Sequence, residues 1–92
     1  MKVKTLTSAQ IRAARALLNW SAADLAVKSS IGVATVRRAE LNEDQTSMTT
    51  ANDLAVRRAL ESGGVQFIDE NGGGPGVRLK IGRAKRQTNS QA

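Results

Sequence analysis

The sequence predicts a mainly α-helical domain of four short helices, followed by a two-stranded β element. Two capping-box patterns each precede a run of apolar residues at helical spacing. A fourth helical segment ends at Gly63-Gly64. After this glycine pair, the apolar residues alternate instead, as they do in strands. These three observations place the helices in residues 1–64 and the β element in residues 65–81.

The first helix begins after Thr7 and runs to about Leu18. Thr7 is a good N-cap, and Gln10 stands at the third position, where its side chain can return the hydrogen bond. Leu6 and Ile11 occupy the two positions of a hydrophobic staple. The local pattern therefore fixes where this helix starts.

A capping box also begins the second helix, and a third helix follows it closely. Ser21 is the N-cap and Asp24 its reciprocal partner, so we expect a helix that ends near Ser29. Residues 30–32 form a break, and residues 33–41 suit another short helix. Two helices of this length joined by a tight turn form a helix-turn-helix candidate, here residues 21–40.

Polar residues 42–49 predict a loop. Thr49 or Thr50 then starts the fourth helix, which runs to about Ser62. Leu54 lies off the apolar face of this helix, so we expect it to be half-exposed or to meet a partner chain.

Residues 65–69 and 77–81 predict the two strands of a hairpin, joined by a glycine-rich loop. An isolated hairpin is marginally stable in water, so this one lies against the helices or against another copy of itself. Our hypothesis is the second arrangement, because a chain of 92 residues offers a hairpin little else to bury against. The residues expected to pack across a two-fold axis are Val65, Phe67, Val77, Leu79 and Ile81.

The charge favours a polyanionic partner. The chain carries 14 Lys and Arg against 8 Asp and Glu, a net charge of +6. Residues 71–92 hold five of the basic residues and no acid, and we expect residues 82–92 to form a polar, basic and disordered tail. The absence of Cys and His removes most zinc sites, thiol nucleophiles and the commonest general base, so we expect neither an enzyme nor a bound cofactor. With no signal peptide or membrane span in the sequence, we expect a cytoplasmic protein without membrane contact.

The first helix contains an arginine, and it is followed by the stretch W-S-A-A-D-L-A-V-K-S-S-I-G-V-A-T-V-R-R-A-E. This combination resembles the Cro/C1-type helix-turn-helix regulators, the XRE family. The resemblance covers residues 11–60. The later segment G-V-Q-F-I-D-E-N-G-G-G-P-G-V-R-L is similar to the C-terminal part of many short bacterial regulators of this class. The resemblance implies a lambda-repressor-like fold and an ion pair between Arg15 and Glu40 that ties the first helix to the third.

Two positions depart from the family pattern. The usual turn glycine falls at Ser30, with Gly32 two residues later, so either the turn is shifted or Ser30 is held in a left-handed conformation at a cost of about 1 kcal/mol. Ala22 replaces the glutamine that usually contacts a phosphate, and that contact is lost or taken over by Ser21.

The resemblance implies that the third helix lies in the major groove of DNA. Val36 is expected to face the core. The expected base contacts are made by Val33, Ala34, Thr35, Arg37 and Arg38. Arg38 is the first choice for a bidentate contact with guanine. The expected phosphate contacts are made by Ser21, Lys28, Thr46, Ser47 and Thr49. The tail residues Arg83, Lys85 and Arg86 either reach DNA or form a flexible end.

We therefore expect a sequence-specific transcriptional regulator that binds duplex DNA at a palindromic operator as a homodimer. The alternative is an antitoxin or adaptor, a protein-interaction module that binds a partner protein. The sequence leaves open whether a regulatory partner protein controls the chain.

Overall fold

The computed structural model describes residues 6–42, 44–70 and 72–80. Within these ranges the chain forms four α-helices and one antiparallel pair of strands. The elements are α1 (Ser8–Leu18), α2 (Ala22–Ser29), α3 (Val33–Ala39), α4 (Thr50–Gly63), β1 (Val65–Ile68) and β2 (Gly76–Leu79). The predicted fold class, mainly helical with a C-terminal two-stranded sheet, is confirmed. None of the helices in the described ranges has the length and apolar character that a membrane span requires.

Both predicted capping boxes are formed. The Thr7 hydroxyl accepts from the Gln10 backbone N–H at 3.0 Å, and the Gln10 side chain accepts from the Thr7 N–H at 3.0 Å. Ser21 and Asp24 make the equivalent pair, with both distances 2.9 Å. The hydrogen bonds from Ser21 hold the pKa of Asp24 below its ordinary value. Each cap satisfies helix N–H groups that would otherwise have no partner, which explains why the starts of α1 and α2 could be predicted.

One apolar cluster holds all the elements together. Leu25 and Ala26 of α2, Val36 of α3 and Leu60 of α4 contribute to it, and all four are buried. The sheet contributes as well, because strand β1 supplies two of the buried side chains. The core therefore extends across the helices and the sheet.

The predicted end of the third helix is wrong by two residues. Helix α3 stops at Ala39, and Leu41, expected at its last position, is 80% exposed. The backbone bonds tighten at this end, because the N–H of Leu41 donates to Arg38 O at 3.2 Å instead of Arg37 O. The carbonyls here accept side-chain donors from α1: the Ser8 hydroxyl donates to Ala39 O, and Arg12 donates to Glu40 O. Tertiary hydrogen bonds thus satisfy carbonyls at the end of the helix.

The hairpin packs against helices α1 and α4. Its register pairs Val65 with Leu79 and Phe67 with Val77. Gln10 of α1 donates its side-chain amide to Gly76 O at 3.1 Å, which anchors the end of the hairpin to the capping box of α1. Of the two arrangements that the sequence left open, the structure has the hairpin on the chain's own helices.

This packing corrects the expected dimerisation surface. Val65 is fully buried and Phe67 is 7% exposed, both within the core of one chain, so neither is available to a second copy. Val77 is half-buried against the same core, and Leu79 is also half-buried. Ile81 lies outside the described residues. The expectation is wrong for Val65 and Phe67, because the helices leave an apolar surface that the hairpin covers.

Candidate nucleic-acid interface

The turn between α2 and α3 depends on one residue in the left-handed region. Ser30 has φ 60° and ψ 38°, as its position in the motif suggested. Its N–H donates to Val27 O at 3.2 Å, and the N–H of Ile31 donates to Ala26 O at 3.0 Å, which closes the end of α2. Gly32, by contrast, has an ordinary φ of −59° and serves as the N-cap of α3. The turn therefore needs no glycine at position 32.

Helix α3 presents one face to the core and the other to solvent. Val36 and Ala39 are 1% and 2% exposed, so Val36 faces the core as expected. Ala34, Arg37 and Arg38 are exposed on the outer side. Such a division between buried apolar and exposed basic residues is what a recognition helix requires, because its outer face has to meet base edges.

The remaining two residues expected to contact bases are less exposed. Val33 is half-buried and packs against the core, so only part of its side chain faces outward. Thr35 is also half-buried, and its hydroxyl lies 3.4 Å from Nη2 of Arg38. Arg37 and Arg38 form no ion pair with any described residue.

A groove of about 420 Å³ runs between α3 and the start of α4. We call it the recognition groove. Its polar lining residues include Thr35, Arg38, Asn42, Ser47, Thr49 and Asn52. The structure therefore brings together two of the expected base contacts with three of the expected phosphate contacts, Thr46 among them, from parts of the chain that are separate in sequence.

Thr46, an expected phosphate contact, does not have that role. It is 2% exposed, and its hydroxyl donates to Oδ1 of Asp53 at 2.6 Å and accepts from the N–H of Met48 at 3.2 Å. Asn42 donates to its carbonyl at 2.7 Å. Thr46 is thus an internal support for the loop before α4. Burial raises the pKa of Asp53, while the bond from Thr46 acts in the opposite direction.

Three other expected phosphate contacts are exposed. Ser21 and Thr49 cap α2 and α4, and each hydroxyl accepts a backbone N–H while its own proton stays free to donate. Ser47 has a positive φ of 66° and lies beside Thr49. Lys28 lies elsewhere: its ammonium group stands 5.3 Å from the centroid of the Trp20 ring, in a separate groove between α2 and α4.

The ion pair expected from the resemblance is formed. Arg15 Nε lies 2.6 Å from Oε2 of Glu40, and Arg15 Nη2 lies 2.8 Å from Oε1. The Arg15 side chain is 22% exposed and the Glu40 side chain 8%. Its hydrogen bond to Glu40 raises the pKa of Arg15, although burial opposes this. A third bond, from Arg15 Nη1 to Trp20 O at 2.9 Å, fixes the α1–α2 corner to the same pair.

Sequence reasoning missed Asn52. Its backbone N–H is capped by Thr49 at 3.1 Å, while its side-chain amide lines the recognition groove and forms no hydrogen bond with a described residue. The sequence contained a signal for Asn52, because a residue three positions after a predicted N-cap lies beside that cap. Glu43 and the tail residues Arg83, Lys85 and Arg86 lie outside the described residues.

Two short helices joined by a left-handed turn, with the outer face of the second helix basic and its inner face buried, define a helix-turn-helix DNA-binding domain. A helix-turn-helix family model matches residues 11–56, half of the chain. The chain belongs to this family, the Cro/C1-type or XRE regulators, a family of DNA-binding regulatory domains. No curated protein matches the chain.

Proposed function

We propose that this protein is a transcriptional regulator that binds a palindromic duplex operator as a homodimer. The observation that carries the proposal is the outer face of α3, where Arg37 and Arg38 stand exposed and without an acidic partner among the described residues. Such a regulator acts where its operator lies, so we propose a cytoplasmic location.

The base contacts come from the outer face of α3. Arg38 lies at the edge of the recognition groove and makes the bidentate contact with guanine O6 and N7. Arg37 contacts a second base or a phosphate. Ala34 and the outward part of Val33 suit thymine methyl groups, and Thr35 hydrogen-bonds a base edge.

The phosphate contacts come from the two helix caps and the loop before α4. Ser21, Ser47 and Thr49 are exposed hydroxyl groups on both sides of α3. Contacts of this kind set the position of the helix on the duplex without specifying its sequence. We add Asn52, whose free amide lines the recognition groove beside Arg38.

One small domain covers about half of an operator, so two recognition helices have to meet half-sites one helical turn apart. We propose that the hairpin still contributes to this dimer, through Val77 and Leu79, which retain partial exposure on strand β2. Light scattering at tens of micromolar protein without DNA tests the dimer. A monomeric mass there contradicts this part of the proposal.

Sequence-specific binding is tested by fluorescence anisotropy at two salt concentrations. The full chain is titrated against duplex from its own upstream region and against random duplex. We expect at least about a thousandfold preference for the specific duplex. Arg38→Ala should lower that preference by between about 5-fold and about 150-fold, because one bidentate contact contributes about 1–3 kcal/mol of discrimination.

Arg58→Ala is the matched control, since Arg58 is an exposed arginine on α4 outside the recognition groove. It should change the preference by less than about threefold. Equal, weak and salt-sensitive binding of the unaltered protein to every duplex would overturn the proposal.

A further inference from the structure

A second groove, which we call the α2–α4 groove, lies at the opposite end of α4 from the recognition groove. Its volume is about 470 Å³. Ser29 and Ala59, each 8% exposed, lie at its bottom. Helix α4 has 14 residues, so its N-cap and its end at Gly63 are about 20 Å apart at 1.5 Å per residue. The two grooves share no lining residue, although Asn52 of one and Ala55 of the other are about 4.5 Å apart along the axis of α4.

The wall of this groove is set by a close contact between Trp20 and α4. A Cβ atom at Gly63 would lie 2.8 Å from Cζ2 of Trp20 and 2.8 Å from Cδ1 of Leu18. The missing side chain at Gly63 therefore lets the indole ring lie directly against the helix. The result is an aromatic wall beside a bottom of small residues, which suits a single apolar side chain of a ligand.

The groove carries two basic side chains. Lys28 stands over the Trp20 ring, with Asp24 one turn away on the same helix, and Arg58 is exposed with no hydrogen bond or ion pair to a described residue. No carboxylate is among the groove's lining residues. The nearest acid along α4, Glu61, pairs with the neighbouring arginine of its own helix at 3.1 Å, so Arg58 is the basic group left for an external carboxylate.

Three of the residues that line the groove carry hydrogen-bond donors. They are Trp20, whose indole N–H donates to no described residue, Lys28 and Arg58. We propose that the α2–α4 groove binds an acidic segment of a partner protein. Its carboxylates pair with Arg58 and Lys28, and one apolar side chain lies against Trp20 and Ala59.

Charge complementarity decides which kind of ligand fits the α2–α4 groove. The segments of this chain outside the described ranges at either terminus, residues 1–5 and 81–92, carry basic residues and no acid. A second copy of the chain that bound through the same groove would place its Lys28 and Arg58 against the Lys28 and Arg58 of the first copy. A nucleic-acid backbone would satisfy the cations but has no apolar side chain for the small bottom of the groove. An acidic segment with an apolar residue satisfies both.

The test uses the full chain and a phage-displayed library of random 12-residue peptides. Selected peptides are synthesised, and their binding is followed by Trp20 fluorescence, because Trp20 is the only tryptophan of the chain. We expect selected peptides to combine Asp or Glu with an apolar residue and to shift the emission. Arg58→Glu should weaken their binding at least about tenfold, and Ala55→Leu, which narrows the groove without a change of charge, should weaken it as well.

Lys80→Glu is the charge-matched control, because Lys80 is exposed at the end of the hairpin, outside this groove. It should change peptide binding by less than about twofold. Selection without enrichment of acidic residues overturns the proposal, as does an equal loss in both charge-reversal variants. If duplex DNA displaces the peptides and Arg58→Glu weakens DNA binding equally, the groove belongs to the nucleic-acid interface instead. Peptide binding is measured without DNA, so failure of the proposed operator binding leaves this test intact.

Discussion

Replacing Arg15 should destabilise the protein more than replacing Glu40, although the two side chains belong to the same ion pair. Arg15→Met leaves the Glu40 carboxylate, 8% exposed, without either of its two guanidinium donors. An unpaired buried carboxylate has no nearby water to solvate it. We expect a loss of about 3 kcal/mol, from a total stability of roughly 5–14 kcal/mol for a chain of this size.

Glu40→Leu should cost only about 1.5 kcal/mol, because Arg15 is 22% exposed and keeps its bond to Trp20 O. In the double variant neither charge is left unpaired. Its loss should therefore be smaller than the sum of the two single losses by at least about 1.5 kcal/mol. The measurement is a double-mutant cycle by urea unfolding at neutral pH, followed by far-UV circular dichroism and Trp20 fluorescence.

Glu61→Leu provides the control, because Glu61 pairs with Arg57 at i,i+4 and its side chain is 38% exposed. That change should cost at most about 0.5 kcal/mol. Two results would refute the reasoning. The first is additivity of the Arg15 and Glu40 losses within about 0.5 kcal/mol. The second is a loss for Glu40→Leu as large as that for Arg15→Met.

Three further predictions concern stability and are checked by urea unfolding. Ser30→Gly should stabilise the protein by up to about 1 kcal/mol, because Ser30 has a positive φ. Gly32→Ala should be nearly neutral, since a Cβ there meets nothing closer than 4.0 Å. A loss of stability in Ser30→Gly would contradict this prediction. Gly63→Ala should cost about 1–3 kcal/mol, since its Cβ would press on the Trp20 ring, while Gly73→Ala, in open space, should cost almost nothing. Burial raises the pKa of Asp53, so its contribution to stability is fully present below its unfolded pKa and is lost as pH rises through the folded pKa. The stability of Asp53→Asn relative to the unaltered protein should thus increase with pH across that window, and a difference independent of pH would refute this.

Local chemistry made several elements predictable. The capping boxes of α1 and α2 join residues three apart, so the sequence alone specifies them. The family resemblance implied the inward position of Val36, and it offered the left-handed conformation of Ser30 as one of two alternatives. The apolar spacing of α4 predicted that Leu54, 39% exposed, lies off the buried face of that helix.

Long-range contacts decided what the sequence did not predict. Thr46 is polar and lies in a polar segment, yet it is buried, and its hydroxyl donates to Asp53 seven residues later. The carbonyl of Ala39, at the end of α3, accepts the hydroxyl of Ser8, 31 residues away. Neither partner can be inferred from the local pattern of either segment.

The sequence by itself determined where the helices start, which face of α3 is apolar, and that the motif belongs to a helix-turn-helix protein. These features depend on hydrogen bonds and side-chain spacing within one or two turns. Only the tertiary structure decided that the hairpin covers the chain's own helices and that Lys28 and Arg58 share a groove with Trp20. The reason is that burial of an apolar face depends on which surface is nearest in space, and strands β1 and β2 meet helix α1 across more than 50 residues of chain.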